Sequence, residues 1–200
     1  VISGGHTYLA ICSEYGKYEI VGQTRDDAAG EAFDKVARAI GLGYPGGPKV
    51  DKLSKSGNPD AFDFPIAHIA DAPFDFSYSG VKSAVLNQLN TAKMNGMEIN
   101  SADVAASFQK AIIGSTVPKA IALCKEKNIN KRAIAGGVAS NSALREALQS
   151  ACDKEGIQFC SPSPVMCTDN AAMIGAAAYY KYLNNEFSGL DLNAIPNLSL

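Results

Sequence analysis

Hydrophobic and polar positions change their period along this chain, and the changes mark its elements. Val1 to Cys12 reads as a strand interrupted by Gly4-Gly5, either a hairpin or a strand with a tight turn. Tyr18 to Gln23 reads as a second strand, entered through a Gly16-Lys17 turn. Between Asp27 and Ile40 the apolar residues Ala29, Phe33, Val36 and Ile40 recur at helical spacing. Gly41 and Gly43 then end the helix in the way C-terminal glycines do. Gly43-Tyr44-Pro45-Gly46-Gly47-Pro48 reads as a rigid, turn-rich loop. Residues 49–100 are mostly irregular, with short helices near Val50–Ser56 and Gly80–Met94, and form a mostly helical insertion.

From Ser101 the pattern becomes regular. A long helix reaches about Lys127, with Pro118 predicted to kink it or split it in two. Arg132 to Val138 reads as a strand ending in Gly136-Gly137, Asn141 to Glu155 as a helix, Gln158 to Ser161 as a strand, and Asn170 to Leu183 as an Ala-rich helix. Strand, helix and strand in succession predict parallel pairing through a crossover helix. With the hairpin ahead of them, the chain reads as an α/β fold with a mixed sheet, and 184–200 as a loosely structured tail.

Composition narrows the picture. At 200 residues and 46% hydrophobic, the chain can bury the core of one large domain or two small lobes. Its 19% charged residues are too few for a disordered polymer. A formal net charge of −2 gives no global basic field. A nucleic acid would have to be held by a local patch or by another subunit. No apolar stretch approaches the roughly 20 residues of a membrane helix. Five cysteines, none in a C-x-x-C pair, fit free thiols in a reducing cytoplasm better than a disulfide framework. The sequence opens at Val1 inside an apolar run, without Met, and reads as a segment of something longer.

Three Gly-Gly pairs, Gly4-Gly5, Gly46-Gly47 and Gly136-Gly137, stand beside or within predicted strands and loops. Each could be an ordinary turn; three together point toward a backbone cradle for a phosphate or nucleotide. Asp26, Asp27 and Glu31 suit a helix N-terminus. Asp34 lies deeper in the helix beside Phe33, where a carboxylate could accept ligand hydroxyls. Asn141 is either an N-cap or a ligand contact; Thr168 or Asp169 is a candidate cap for the last helix, and the Asp169 carboxylate could also ligate a metal, though one Asp cannot make a site alone. The two histidines, His6 and His68, form no H-x-x-x-H or H-E-x-x-H pair. Ser3, Ser140 and Ser142 have no triad-like surroundings.

Six segments taken together resemble one family: Ser3-Gly4-Gly5-His6-Thr7, Asp26-Asp27-Ala28-Ala29-Gly30-Glu31-Ala32-Phe33-Asp34-Lys35, Gly41 to Pro48, Phe76-Ser77-Tyr78-Ser79-Gly80-Val81-Lys82, Ala135 to Asn141 and Cys167-Thr168-Asp169-Asn170-Ala171-Ala172-Met173. They are similar, in order, to the tRNA threonylcarbamoyladenosine-forming transferases, once labelled glycoproteases. The resemblance implies an actin-like ATPase fold of two ribonuclease-H-like lobes. Residues 1–183 would be the second lobe, with its insertion at about 49–100, and the first lobe would lie outside this chain. It implies nucleotide-substrate contacts at Val1, Ile2, Ser3, Gly4, Gly5, Asp34, Gly47, Asp51 and Asn141. Asp169 would be one ligand of a divalent metal, iron or zinc, whose histidines come from the first lobe.

The implied reaction moves threonylcarbamoyl from threonylcarbamoyl-adenylate to the exocyclic amine of the adenosine next to the anticodon in tRNA. The implied partners are a paralogous actin-fold protein and a small ATPase. This segment alone is expected to be inactive and to hold metal and RNA weakly. Two other readings remain at this point: a metal-dependent O-sialoglycoprotein endopeptidase, and a non-catalytic actin-like nucleotide-binding module.

Overall fold

The computed structural model of the chain describes residues 1–195. β1 (Tyr8–Glu14) and β2 (Lys17–Gln23) pair antiparallel across a tight turn. β3 (Lys131–Ala133) and β4 (Gln158–Cys160) pair parallel, and α5 (Ser142–Lys154) crosses between them. Both kinds of pairing expected of a mixed sheet are present, but in two two-stranded ladders rather than one continuous sheet. Ile2 joins the ladders. It bridges Thr7 ahead of β1, donates its N–H to the Ala135 carbonyl at 2.8 Å, and accepts the Val138 N–H at 3.1 Å.

The strand expected to reach Val138 stops at Ala133. Gly136 takes a φ of 98°, and the chain then tightens into one 3-10 turn, Gly137–Ser140. A Cβ on Gly136 would stand 2.4 Å from the Ile2 carbonyl oxygen, so both the turn and the linkage at Ile2 require glycine there.

α1 (Ala29–Ala39) buries Phe33, Val36 and Ala37, in keeping with the apolar spacing. The Gly/Pro-rich segment expected to be a loop is half helix, because α2 (Gly46–Ser54) begins inside it. Pro48 falls in the first turn, where its missing N–H costs nothing. The open N-terminus is satisfied from α1, since the Asp34 carboxylate accepts the Gly46 N–H at 2.7 Å. α4 (Ser101–Glu126) runs through Pro118 without the expected break. It buries residues on all sides along its length, and packing of that extent outweighs the propensity of a single proline. Phe108 of α4 meets Phe33 of α1 edge-on, with ring centroids 5.1 Å apart, at the centre of the core.

α3 (Ser79–Met94) lies in the segment read as an insertion and takes up part of the acidic run. Asp26 and Asp27 immediately precede α1, in keeping with a place at a helix N-terminus. Asp26 accepts bonds from Ser77 Oγ (2.5 Å), Tyr78 N–H (2.8 Å), Ser79 N–H (3.2 Å) and Ser79 Oγ (2.6 Å). It therefore caps α3 from a distance in sequence. Asp27 pairs with Lys82 at 2.6 Å and Lys35 at 3.2 Å, and Arg25 Nε with Asp75 at 2.8 Å. Partial burial alone would raise these carboxyls, but the hydrogen bonds and lysines hold Asp26 and Asp27 below the usual carboxylate range.

α6 (Ala171–Leu183) has no buried residue. Its cap is Asn170, whose Oδ1 accepts the Met173 N–H at 2.9 Å, and not Thr168 or Asp169 as the sequence suggested. No further helix or strand follows among the described residues, and 196–200 of the expected tail lie outside them.

Candidate functional site

The N-termini of α1, α2 and α5 converge on one cavity of about 400 Å³. Five of the residues singled out from the sequence line it: Gly4, Asp34, Gly47, Asp51 and Asn141. Asp169 does not, although its neighbour Thr168 does. Val1, Ile2, Ser3 and Gly5 do not line it either. Ile2 is buried, and Val1 is paired with Tyr8. Ser3 holds the turn to α1 by accepting the Gly30 N–H at 3.0 Å on its carbonyl.

The Gly-Gly pairs divide their work. A Cβ on Gly46 would lie 2.6 Å from Ala37 Cβ and 2.7 Å from Asp34 Cα, so this glycine lets α2 sit directly on α1. Gly47, the next residue, has nothing within 4 Å of a Cβ position and faces the cavity. Gly136 and Gly137 repeat the arrangement, the first pressed against Ile2 and the second on the cavity wall. In each of these pairs, close packing and an open wall fall to adjacent residues.

Three polar side chains face the cavity with part of their capacity free. Asp34 Oδ1 takes the Gly46 N–H, which leaves its other oxygen as an acceptor. Asp51 holds the start of α5, accepting the Ser142 N–H at 3.1 Å and Ser142 Oγ at 2.9 Å. Asn141 is the N-cap of α5: its Oδ1 accepts the Leu144 N–H at 2.9 Å. The capping reading of Asn141 is therefore correct as geometry, and the residue also lines the cavity. The remaining wall is apolar, with Phe33, Tyr44, Pro45, Pro48 and Val138. Lys49 Nζ ties the Tyr44 loop down through the Leu42 and Tyr44 carbonyls, at 2.8 and 3.1 Å. A flat apolar ring with hydroxyls at one end matches this lining.

Phe33, Tyr44, Val138 and Thr168 were not picked out as site residues from the sequence, although each lies within or beside a motif that was. Behind the wall stands Gln109, also missed. Its signal was available: apart from Lys110, it is the one long polar side chain in the apolar and small run Val104 to Ile113. Among the described residues no three His, Cys, Asp or Glu side chains come together as a metal site. Asp169 is exposed, and these residues do not by themselves fit a metal ion.

The model of one family, TsaD, tRNA N6-adenosine threonylcarbamoyltransferase, matches residues 1–176. The chain belongs to this family. The tRNA N6-adenosine threonylcarbamoyltransferase of Clostridium perfringens (strain SM101 / Type A) is 62% identical over 200 residues. Those of Clostridium kluyveri (strain ATCC 8527 / DSM 555 / NBRC 12016 / NCIMB 10680 / K1) and Clostridium botulinum (strain Kyoto / Type A2) are 60% and 58% identical. Each match covers 100% of this chain and 59% of the relative, so the chain spans about three fifths of their length. Among solved structures, HypF of T. kodakarensis superposes with a TM-score of 0.59 at 16% identity, over 86% of this chain and 22% of that one. A full-length HypF in its phosphate- and nucleotide-bound form gives 0.60 at 20%, over 81% and 26%. These place the TsaD-family chain in a mixed α/β, actin-like and ribonuclease-H-like fold.

Proposed function

We propose that this chain is the nucleotide-holding second lobe of a tRNA adenosine threonylcarbamoyltransferase. The observation that carries the reading is convergence: Gly4, Asp34, Gly47 and Asn141, from four separate motifs, line one cavity together with Asp51. Family membership supplies the chemistry to which that cavity is fitted. In this reading the adenine of threonylcarbamoyl-adenylate lies on the apolar wall of Tyr44, Pro45, Pro48 and Val138. Asp34 and Asp51 accept its ribose hydroxyls, while Gly4, Gly47 and Gly137 leave room for the phosphate to approach backbone.

The reaction is acyl transfer. The exocyclic amine of the tRNA adenosine attacks the threonylcarbamoyl carbonyl and forms a C–N bond. The bond from that carbon to the phosphate oxygen breaks, AMP leaves with the electron pair, and the amine gives up one proton. An exocyclic amine is a weak nucleophile, so positioning dominates the work of this lobe. The divalent metal, iron or zinc, would take Asp169 as one ligand and need histidines from outside these residues. The tRNA, the paralogous actin-fold protein and the small ATPase are proposed partners of the longer protein, at work in the cytoplasm. Among the described residues, no helix is long and apolar enough to cross a membrane. Neither the cavity nor the relatives favour the endopeptidase or the non-catalytic module.

Calorimetric titration of the chain with AMP tests the reading. Binding is expected, weakened about tenfold by Asp34→Ala, the size of one lost charge-assisted hydrogen bond. Absence of binding to the unsubstituted chain would overturn the nucleotide reading. Joining the chain to the remaining two fifths of the Clostridium kluyveri relative, then supplying tRNA and threonylcarbamoyl-adenylate, is expected to yield the modified adenosine in the digested tRNA.

A further inference from the structure

Gln109 lies on α4, buried, and touches no part of the cavity. Its side chain nevertheless links both polar ends of it. Gln109 Nε2 donates to Ser54 Oγ at 2.9 Å, and Ser54 Oγ donates to the Asp51 carbonyl at 2.9 Å. Gln109 Oε1 accepts from Asn141 Nδ2 at 2.6 Å. Asn141 continues directly into Ser142, which donates twice to the Asp51 carboxylate. The path closes on itself through α2, α4 and α5.

The direction of every bond in this ring is fixed at its ends by backbone. A carbonyl only accepts, so Ser54 must spend its proton on Asp51 and must receive from Gln109. Gln109 then has only its carbonyl to offer Asn141, which must turn its NH₂ toward it. At the other end, the Leu144 N–H demands the Asn141 carbonyl, and the two requirements agree. Asn141 is left with one spare N–H donor on Nδ2, while its Oδ1 is turned toward the Leu144 N–H.

We infer that Gln109 is a positioning residue for the nucleotide site, fixing the Asn141 amide so that it meets the ligand as a donor. The inference rests on the nucleotide reading above. Its ligand-side consequence is that the atom beside Asn141 is an acceptor, a phosphate or hydroxyl oxygen, whereas those beside Asp34 and Asp51 are hydroxyl donors.

The test is a double-mutant cycle read by AMP affinity. Gln109→Met keeps the length of the side chain and removes both bonds. Asn141→Ser keeps an N-cap and removes the amide. Each alone is expected to weaken AMP about tenfold. If Gln109 acts through Asn141, the double variant is no weaker than Asn141→Ser alone. Gln109→Glu, protonated at so buried a site, retains an acceptor for Asn141 and a donor for Ser54, and is expected to bind within about threefold of the unsubstituted chain. Additive losses in the double variant would show a structural role and overturn the inference, as would unchanged affinity in Gln109→Met. Should Gln109→Met fail to fold, Gln109→Glu decides alone: affinity lost by about tenfold at unchanged melting temperature overturns it. No AMP binding by the unsubstituted chain would instead overturn the nucleotide reading itself.

Discussion

The anchorage of the insertion and the wall of the cavity use the same residue types, and they differ in how fully each carboxylate is occupied. Asp26 accepts four hydrogen bonds from the start of α3, and Asp27 holds two lysines. Asp34, less than two turns further along α1, accepts one, and Asp51 faces the cavity while holding one serine. A carboxylate whose acceptor capacity is consumed within the fold contributes to stability. One with capacity left over, aimed at a cavity, can meet a ligand. An acidic run in a sequence does not reveal which of these applies, because the partners of Asp26 stand more than fifty residues away.

Adjacent glycines give the sharpest way to break this contrast. Gly46→Ala forces a methyl into the backbone of α1 and should cost about 3 kcal/mol in urea unfolding, dislodging Asp34 with it. Asp27→Ala comes next, at about 2 kcal/mol, because Lys82 is only 18% exposed and would lose its partner. AMP affinity of the folded Asp27→Ala protein should not change. A change of more than about threefold would show that the anchorage and the cavity are one unit.

Acid should weaken the anchorage. Asp26, Asp27 and Asp75 all have folded pKa values below their ordinary 3.8. Their contribution is therefore complete above that value and is lost as pH falls through the lower folded values. The urea midpoint should drop as pH falls below about 4, and by less in Asp27→Ala. An equal drop in both proteins would remove Asp27 from the account. The smallest effect on stability, under about 0.5 kcal/mol, is expected for Gly47→Ala, whose methyl meets nothing in the fold. That methyl narrows the cavity, so AMP should weaken several-fold without loss of stability.

Much of the fold was legible locally. The hairpin, α1 and α5 follow from alternation, helical spacing and the Asn141 cap, all of which act within a few residues. The start of α2 was not, because Asp34 supplies its N-terminal partner from another helix. Unbroken passage through Pro118 was not, because packing around α4 decides it. The site was legible in part: Asp34, Gly47 and Asn141, named from motifs, share one cavity with Asp51, named from the resemblance alone, while Gln109 connects to it only through contacts 32 and 55 residues away.

Ser54, Gln109 and Asn141 carry no group that ionises between acid and alkali, and the Asp51 main-chain carbonyl and the Leu144 N–H that end their path carry none either. The orientation they impose on one another therefore needs no proton from solvent and gives none up. Whatever pH dependence the longer protein shows in its chemistry, the donor presented at Asn141 should stay a donor throughout. This face of the cavity would then discriminate between ligands in the same way in any compartment or growth condition that leaves the fold intact.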